Sequence, residues 1–246
     1  RALSVTEARM EKEARLTGTV VYVERTGILV QDESASTFFR PTEQQLSLKV
    51  GDEVEVRGKT QMGRYFAGLG PSEVRVLGHA SEPPTISVEY DDIVSARYFY
   101  QRVAVEGIVR SIEQKKDWIA VRLAMGPRIL EVRFARPSPP NQNFVDARVR
   151  IKGISAGSIN DQRQLIETFL RIQSWDDIEV IDPPTPDDGI TRLKPEELLA
   201  FRPNGRPERR ISVSGVVTAV FPKREIYLQQ ERTAFAARLA QTAELS

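Results

Sequence analysis

The stretch RLTGTVVYVERTGILVQDES, residues 15–34, decides the fold, because versions of it return near residue 102 and again near residue 210. Gly18, Val20 and Val23 match Gly107, Val109 and Ile112, then Gly215, Val217 and Val220. A second strand follows each time after a polar turn, with Ile28 and Val30, Ile119 and Val121, or Ile226 and Leu228. The first two copies share a later landmark, VGDEVEVRG ending at Gly58 and VDARVRIKG ending at Gly153. Landmarks that recur in order at similar spacing are the mark of a duplicated domain.

Each copy reads as strands. Val54 and Val56, or Val149 and Ile151, alternate with charged residues, the period-two pattern of a half-buried strand. The opening strand breaks the alternation with adjacent Val20 and Val21 and a central glycine, which suits a strand bent across two sides of a small barrel. Fifth strands are expected at 72–78 and 176–182, with 164–172 also extended because of its β-branched and aromatic residues. The fold class is therefore mostly β: tandem OB-fold-like five-stranded barrels joined by Pro-rich connectors with short helices, the third barrel truncated. The expected domains are 1–82, 83–184 and 185–246. The connectors at 81–102 and 182–210 each contain Pro-Pro, and VEYDDIVSAR and KPEELLAF supply their short helices. Such connectors are stiff, so the expectation is a semi-rigid rod of barrels. Too few residues follow Gly215 for a fourth strand, and open strand edges in 211–240 are expected to associate with another chain.

The bulk properties narrow the function. The 246 residues are 40% hydrophobic and 28% charged, as in an ordinary globular protein. With 35 Lys and Arg against 34 Asp and Glu, the formal charge is +1, which argues against nucleic acid as a partner. There is no cysteine, so disulfides, thiolate metal sites and thiol catalysis are excluded. No apolar run reaches the length of a membrane span and no signal peptide opens the chain, which begins at Arg1 and reads as an excised segment.

The quoted stretch, LKVGDEVEVRG, VAVEGIVRSIEQKKDWIAVRL and ISVSGVVTAVFPKREIYLQQE together resemble the tandem OB-like repeats of large bacterial signalling proteins. The resemblance implies the extracytoplasmic (periplasmic) sensor region of an inner-membrane sensor histidine kinase or diguanylate cyclase, with the membrane tether and output domain outside this segment. It carries no catalytic or ligand residues, and the repeats of that family normally include a complete third copy.

No nucleophile elbow, phosphate-binding loop or zinc-protease motif is present, and no cofactor is expected. The single histidine, His79, reads as a turn residue, and the doublets Asp91-Asp92, Asp176-Asp177 and Asp187-Asp188 read as caps. OB barrels bind ligands on the face of their second and third strands, flanked by the first–second and fourth–fifth loops. In the first barrel those elements supply the candidates Phe38, Phe39, Arg40, Arg64, Tyr65 and Phe66. One of the adjacent phenylalanines must leave the barrel interior, either to meet a ligand or to pack on a neighbouring barrel. Arg148, Arg150 and Lys152 form a candidate basic face, more simply a solvated one, and Trp118 and Trp175 are assigned to packing. The favoured reading is a non-enzymatic sensory region that binds an unknown small molecule or protein. The alternative is a multi-OB protein that binds single-stranded nucleic acid.

Overall fold

The opening motif folds as one long strand, β1 (Glu13–Glu24), preceded by a short helix, α1 (Val5–Arg9). The computed structural model describes residues 5–63, 67–79, 85–134, 140, 143–198, 200, 209–221 and 225–239. Gly18 lies where β1 crosses the following strand: a Cβ there would sit 2.7 Å from the Gln31 carbonyl oxygen. At the matching Gly107 the same contact, with the Ala124 carbonyl, would be 2.4 Å. The repeated glycine is thus a close-approach residue that lets the strand bend.

β1 pairs with β2 (Gly27–Gln31), β2 with β3 (Ser36–Arg40), and β4 (Asp52–Met62) lies between β1 and β5 (Ala67–His79). A parallel pairing of β3 with β5 closes the barrel in the order β1-β2-β3-β5-β4. Val20, Val23, Ile28, Val30, Phe39, Val54, Val56 and Leu69 fill it.

The second copy begins with β6 (Ile86–Ser87) and α2 (Tyr90–Val94), the helix starting in a capping box between Glu89 and Asp92. It continues through β7 (Arg102–Gln114), β8 (Ile119–Met125), β9 (Arg128–Phe134), β10 (Arg148–Ile159), β11 (Leu165–Ile172) and β12 (Ile178–Asp182). Here β7-β8-β9-β11-β10 form the ring, closed by pairing of β10 with β7. The long last strand of the first barrel is divided in the second by a turn at Trp175–Asp177. Trp175 stacks on Phe144 at 5.6 Å and meets Phe134 edge-on at 5.3 Å, inside the core as expected.

The adjacent valines are explained by a bulge. β1 shifts register between Val20 and Tyr22, so Val20 and Val23 face the barrel core while Val21 and Tyr22 face out. All three copies shift at this place, but the outward residues differ: Val21 and Tyr22, then Arg110 and Ser111, then Thr218 and Ala219. The apolar pair is the one buried. Val21, Tyr22 and Leu29 cluster with Ile154 of β10, and Phe38 and Tyr100 pack on them.

Polar contacts pin the same junction. The Val23 N–H donates to Gln173 Oε1 (3.0 Å), and Gln173 Nε2 donates back to the Val23 carbonyl (2.7 Å). The Arg102 N–H donates to Gln31 Oε1 (3.0 Å), and Arg171 Nη1 reaches both oxygens of Glu24 at 3.0 Å. The first two barrels therefore pack directly on each other in one compact unit ending at Pro183. Between them the rod with stiff spacers is replaced by a shared apolar seam.

The second unit starts at Pro184. Within it β13 (Thr191–Arg192) pairs in parallel with β14 (Ile211–Ser212). β15 (Val216–Phe221), β16 (Glu225–Gln230) and β17 (Thr233–Arg238) form an antiparallel meander, the counterpart of the first three strands of each barrel. Val217 and Val220, which match the buried Val20 and Val23, are 39% and 59% exposed. Of KPEELLAF, the described part forms a single turn at Pro195–Glu197, with the Lys194 N–H donating to Glu197 Oε2.

Candidate functional site

The predicted ligand residues of the first barrel separate. Phe39 points into the core and is fully buried, whereas Phe38 points out and packs toward the second barrel. Arg64, Tyr65 and Phe66 lie outside the described residues. Phe38 and Arg40 help to line a cleft of about 530 Å³ between the barrels. Tyr22 and Leu29 form its other wall on the first barrel, and Tyr100, Ile159 and Arg171 face them. Tyr100 holds a left-handed backbone (φ 63°), uncommon for an aromatic residue, with its N–H donated to the Ser155 carbonyl. Arg171 is held by Glu24, but Arg40 makes no ion pair among the described residues.

The basic strand of the second barrel is neutralised. Arg150 donates two hydrogen bonds to Glu106 Oε1 (2.9 and 2.6 Å) and lies 3.7 Å from Glu179. The Glu106 hydrogen bonds and charge hold its guanidinium above the ordinary arginine range. Arg148 and Lys152 are half-buried on the same face. On the neighbouring β9, Glu131 pairs with Arg133 (2.6 Å).

A stronger cluster lies elsewhere on that barrel. Ile119, Val121 and Leu123 of β8 face the core, so Trp118, Ala120, Arg122 and Ala124 face outward. Register places Ala120 opposite Arg133 and Arg122 opposite Glu131. Arg133 lies over the Trp118 ring at 5.0 Å and over the Phe169 ring at 3.8 Å, and Arg171 covers Phe169 at 5.5 Å. Cations and rings thus alternate across β8, β9 and β11 to the inter-barrel junction. Lys115 and Lys116 lie in the β7–β8 turn beside Trp118, the Lys115 N–H donating to the Trp118 carbonyl, and Arg110 and Arg122 are exposed on β7 and β8. Lys115 pairs with Glu113 (2.6 Å), while Arg110, Lys116 and Arg122 make no ion pair among the described residues. Trp118 Nε1 is buried with no hydrogen-bond acceptor among the described residues. Trp118 is half-buried under Arg133, on the outer side that the alternation in WIAVRLA gives it.

The acidic doublets serve local structure. Asp92 and Asp177 sit in capping boxes, and Asp187 pairs with Arg210. No group of three metal-ligating side chains occurs among the described residues, and no described helix is long and apolar enough to cross a membrane. His79 Nδ1 lies 3.0 Å from Asp52 Oδ1. Burial works to raise the Asp52 pKa, but the hydrogen bonds from the Lys49 N–H and His79 outweigh it, and the carboxyl sits below its ordinary range.

No protein-family model matches the chain, and no curated protein matches it. Among solved structures it is similar to a murine DNA-binding protein bound with double-stranded DNA (12% identity, TM-score 0.36), covering 70% of this chain and 99% of that one. It is similar to the Ifi202 HINa domain in complex with 20-bp double-stranded DNA (10%, 0.31; 71% and 97%). It is also similar to asparaginyl-tRNA synthetase from Pyrococcus horikoshii (16%, 0.30), covering 42% of this chain but 24% of that one. The OB-type fold rests on the closed five-stranded ring of the first barrel itself. The expectation that nucleic acid is disfavoured as a partner is corrected: two of these structures are described as DNA-bound, a property of those proteins, and the charge argument against nucleic acid does not hold here. The physical weakness of that expectation is that a charge of +1 sums over the whole chain, whereas the cations around Trp118 are local.

Proposed function

We propose that the chain is a non-enzymatic, multi-OB module that binds single-stranded nucleic acid on the outer β8–β9 face of its second barrel. The observation that carries the reading is Trp118, with Arg133 over its ring and Lys115 and Lys116 of the adjoining turn beside it, on the barrel face where OB domains take ligands. A base stacks on an aromatic ring regardless of sequence, and unpaired cations contact the phosphates. Titration of the chain with a labelled oligonucleotide at low and high salt tests it. Binding that weakens with salt, and that falls by about 1–3 kcal/mol in Trp118→Ala, is the expected result. No binding at low salt eliminates the reading.

A second reading is favoured by the inter-barrel cleft, whose walls belong to both barrels. There the segment is the extracytoplasmic sensory region of a bacterial signalling protein, and a ligand in the cleft acts by fixing the barrels relative to each other. A membrane span followed by a kinase or cyclase sequence in the same gene would support that reading, and a gene without them would count against it.

A further inference from the structure

We propose that the cleft between the first two barrels binds a small planar aromatic anion. Three aromatic side chains from three separate segments converge on it: Tyr22 from β1, Phe38 from β3 and Tyr100 from the connector before β7. Flat apolar walls of this kind select planar rings, which prefer offset or edge-on contact with aromatic neighbours. The volume, about 530 Å³, lies within the range of small-molecule sites rather than extended polymer grooves.

Charge selects the other half of the ligand. Glu24 is the acidic residue at the cleft, and it is chelated by Arg171 through both oxygens. Arg40 is then the cation left over: exposed at the end of β3, lining the cleft, and without an ion pair among the described residues. A guanidinium fork matches a carboxylate or a phosphate oxygen pair. The left-handed backbone at Tyr100 is a strained conformation kept where a ring must be aimed, as is common at ligand sites. Trp118 is not among the residues that line this cleft.

Calorimetric titration of the full chain with indole-3-acetate and with adenosine 5′-monophosphate tests the proposal, each carrying a planar ring and one anionic group. Tryptophol and acetate serve as probes that carry only one half. The expected result is saturable binding of at least one ring-plus-anion probe and none of either half at similar concentration. Saturation by the acetate compound alone assigns a carboxylate, and by the nucleotide alone a phosphate; both support the proposal. Arg40→Met, at an exposed position, is expected to weaken binding about tenfold or more, and Phe38→Leu to weaken it while the chain stays folded by circular dichroism. Trp118→Ala is expected to leave probe binding unchanged even if it abolishes oligonucleotide binding. The proposal is overturned if no probe saturates, if tryptophol binds as well as indole-3-acetate, if Arg40→Met binds normally, or if Trp118→Ala removes probe binding.

Discussion

Gly107 shows how little room the barrel bends leave. A Cβ would press on the Ala124 carbonyl at 2.4 Å and on the Leu123 side chain at 2.8 Å. Gly107→Ala is therefore expected to cost about 2–3 kcal/mol in urea denaturation. Gly78→Ala, whose Cβ would meet Glu53 at an ordinary 3.6 Å, should be nearly neutral. Arg102 is held by burial: its side chain is 4% exposed, and desolvation pulls its pKa down against the attraction of Asp177 at 3.3 Å. Asp177 also accepts the N–H groups of Gln173 and Ser174. Asp177→Ala leaves a buried cation poorly compensated and should destabilise the chain by about 3 kcal/mol in the same assay. Glu55, 7% exposed, gives a pH prediction. Burial opposes its ionisation, yet hydrogen bonds from Arg15 and Arg57 prevail and depress its pKa, as those to Asp52 do. A depressed folded pKa means stability that is present above the unfolded value, about 4.3 for Glu, and is lost as pH falls through the folded value. Acid titration followed by circular dichroism should show that loss, and Glu55→Gln should reduce its pH dependence.

At the scale of elements, one bulge decides which surface is covered. It turns two residues outward in every copy, and only Val21 and Tyr22 are apolar enough to require burial. The barrel seam then uses the side chain of Gln173 as a substitute strand, pairing with both polar groups of Val23. Gln173→Ala should strip that pair and, measured by amide hydrogen exchange, speed exchange at the β1 end near Val23 while leaving β8 unchanged, a local cost of about 1–2 kcal/mol. Alternation in WIAVRLA and GILVQ was enough to sort inward from outward residues on β8 and β2. It could not say that the outer face of β2–β3 would meet a second barrel and that on β8–β9 Arg133 would lie over Trp118. That difference follows from long-range contacts, with Phe38 in the first barrel standing where Arg133 stands in the second.

For the whole molecule, the net charge is near zero, so the salt dependence of any nucleic-acid contact is set by the local cations of the second barrel. With the three cations that make no ion pair among the described residues, Arg110, Lys116 and Arg122, as phosphate partners, the slope of log K against log salt for a single strand should be about −2. Lys116→Gln should reduce it by about one unit without changing base preference. A slope near zero would mean that these cations do not meet phosphates. The second unit carries its exposed apolar residues, Val216, Val220 and Phe221, on a three-stranded meander.

By itself the sequence determined what depends on neighbours along the chain: the repeat, the strand order, the bending glycines, the capping acids and that one of Phe38 and Phe39 must leave the core. Alternation and turn chemistry are local, so they are legible in one dimension. Only the tertiary structure decided that two barrels share an apolar seam, that Arg150 is spent on Glu106 while Arg40 makes no ion pair among the described residues, and that Trp118 stands beside Arg133. Those outcomes rest on register between distant strands and on which charges meet across them, which no local pattern encodes.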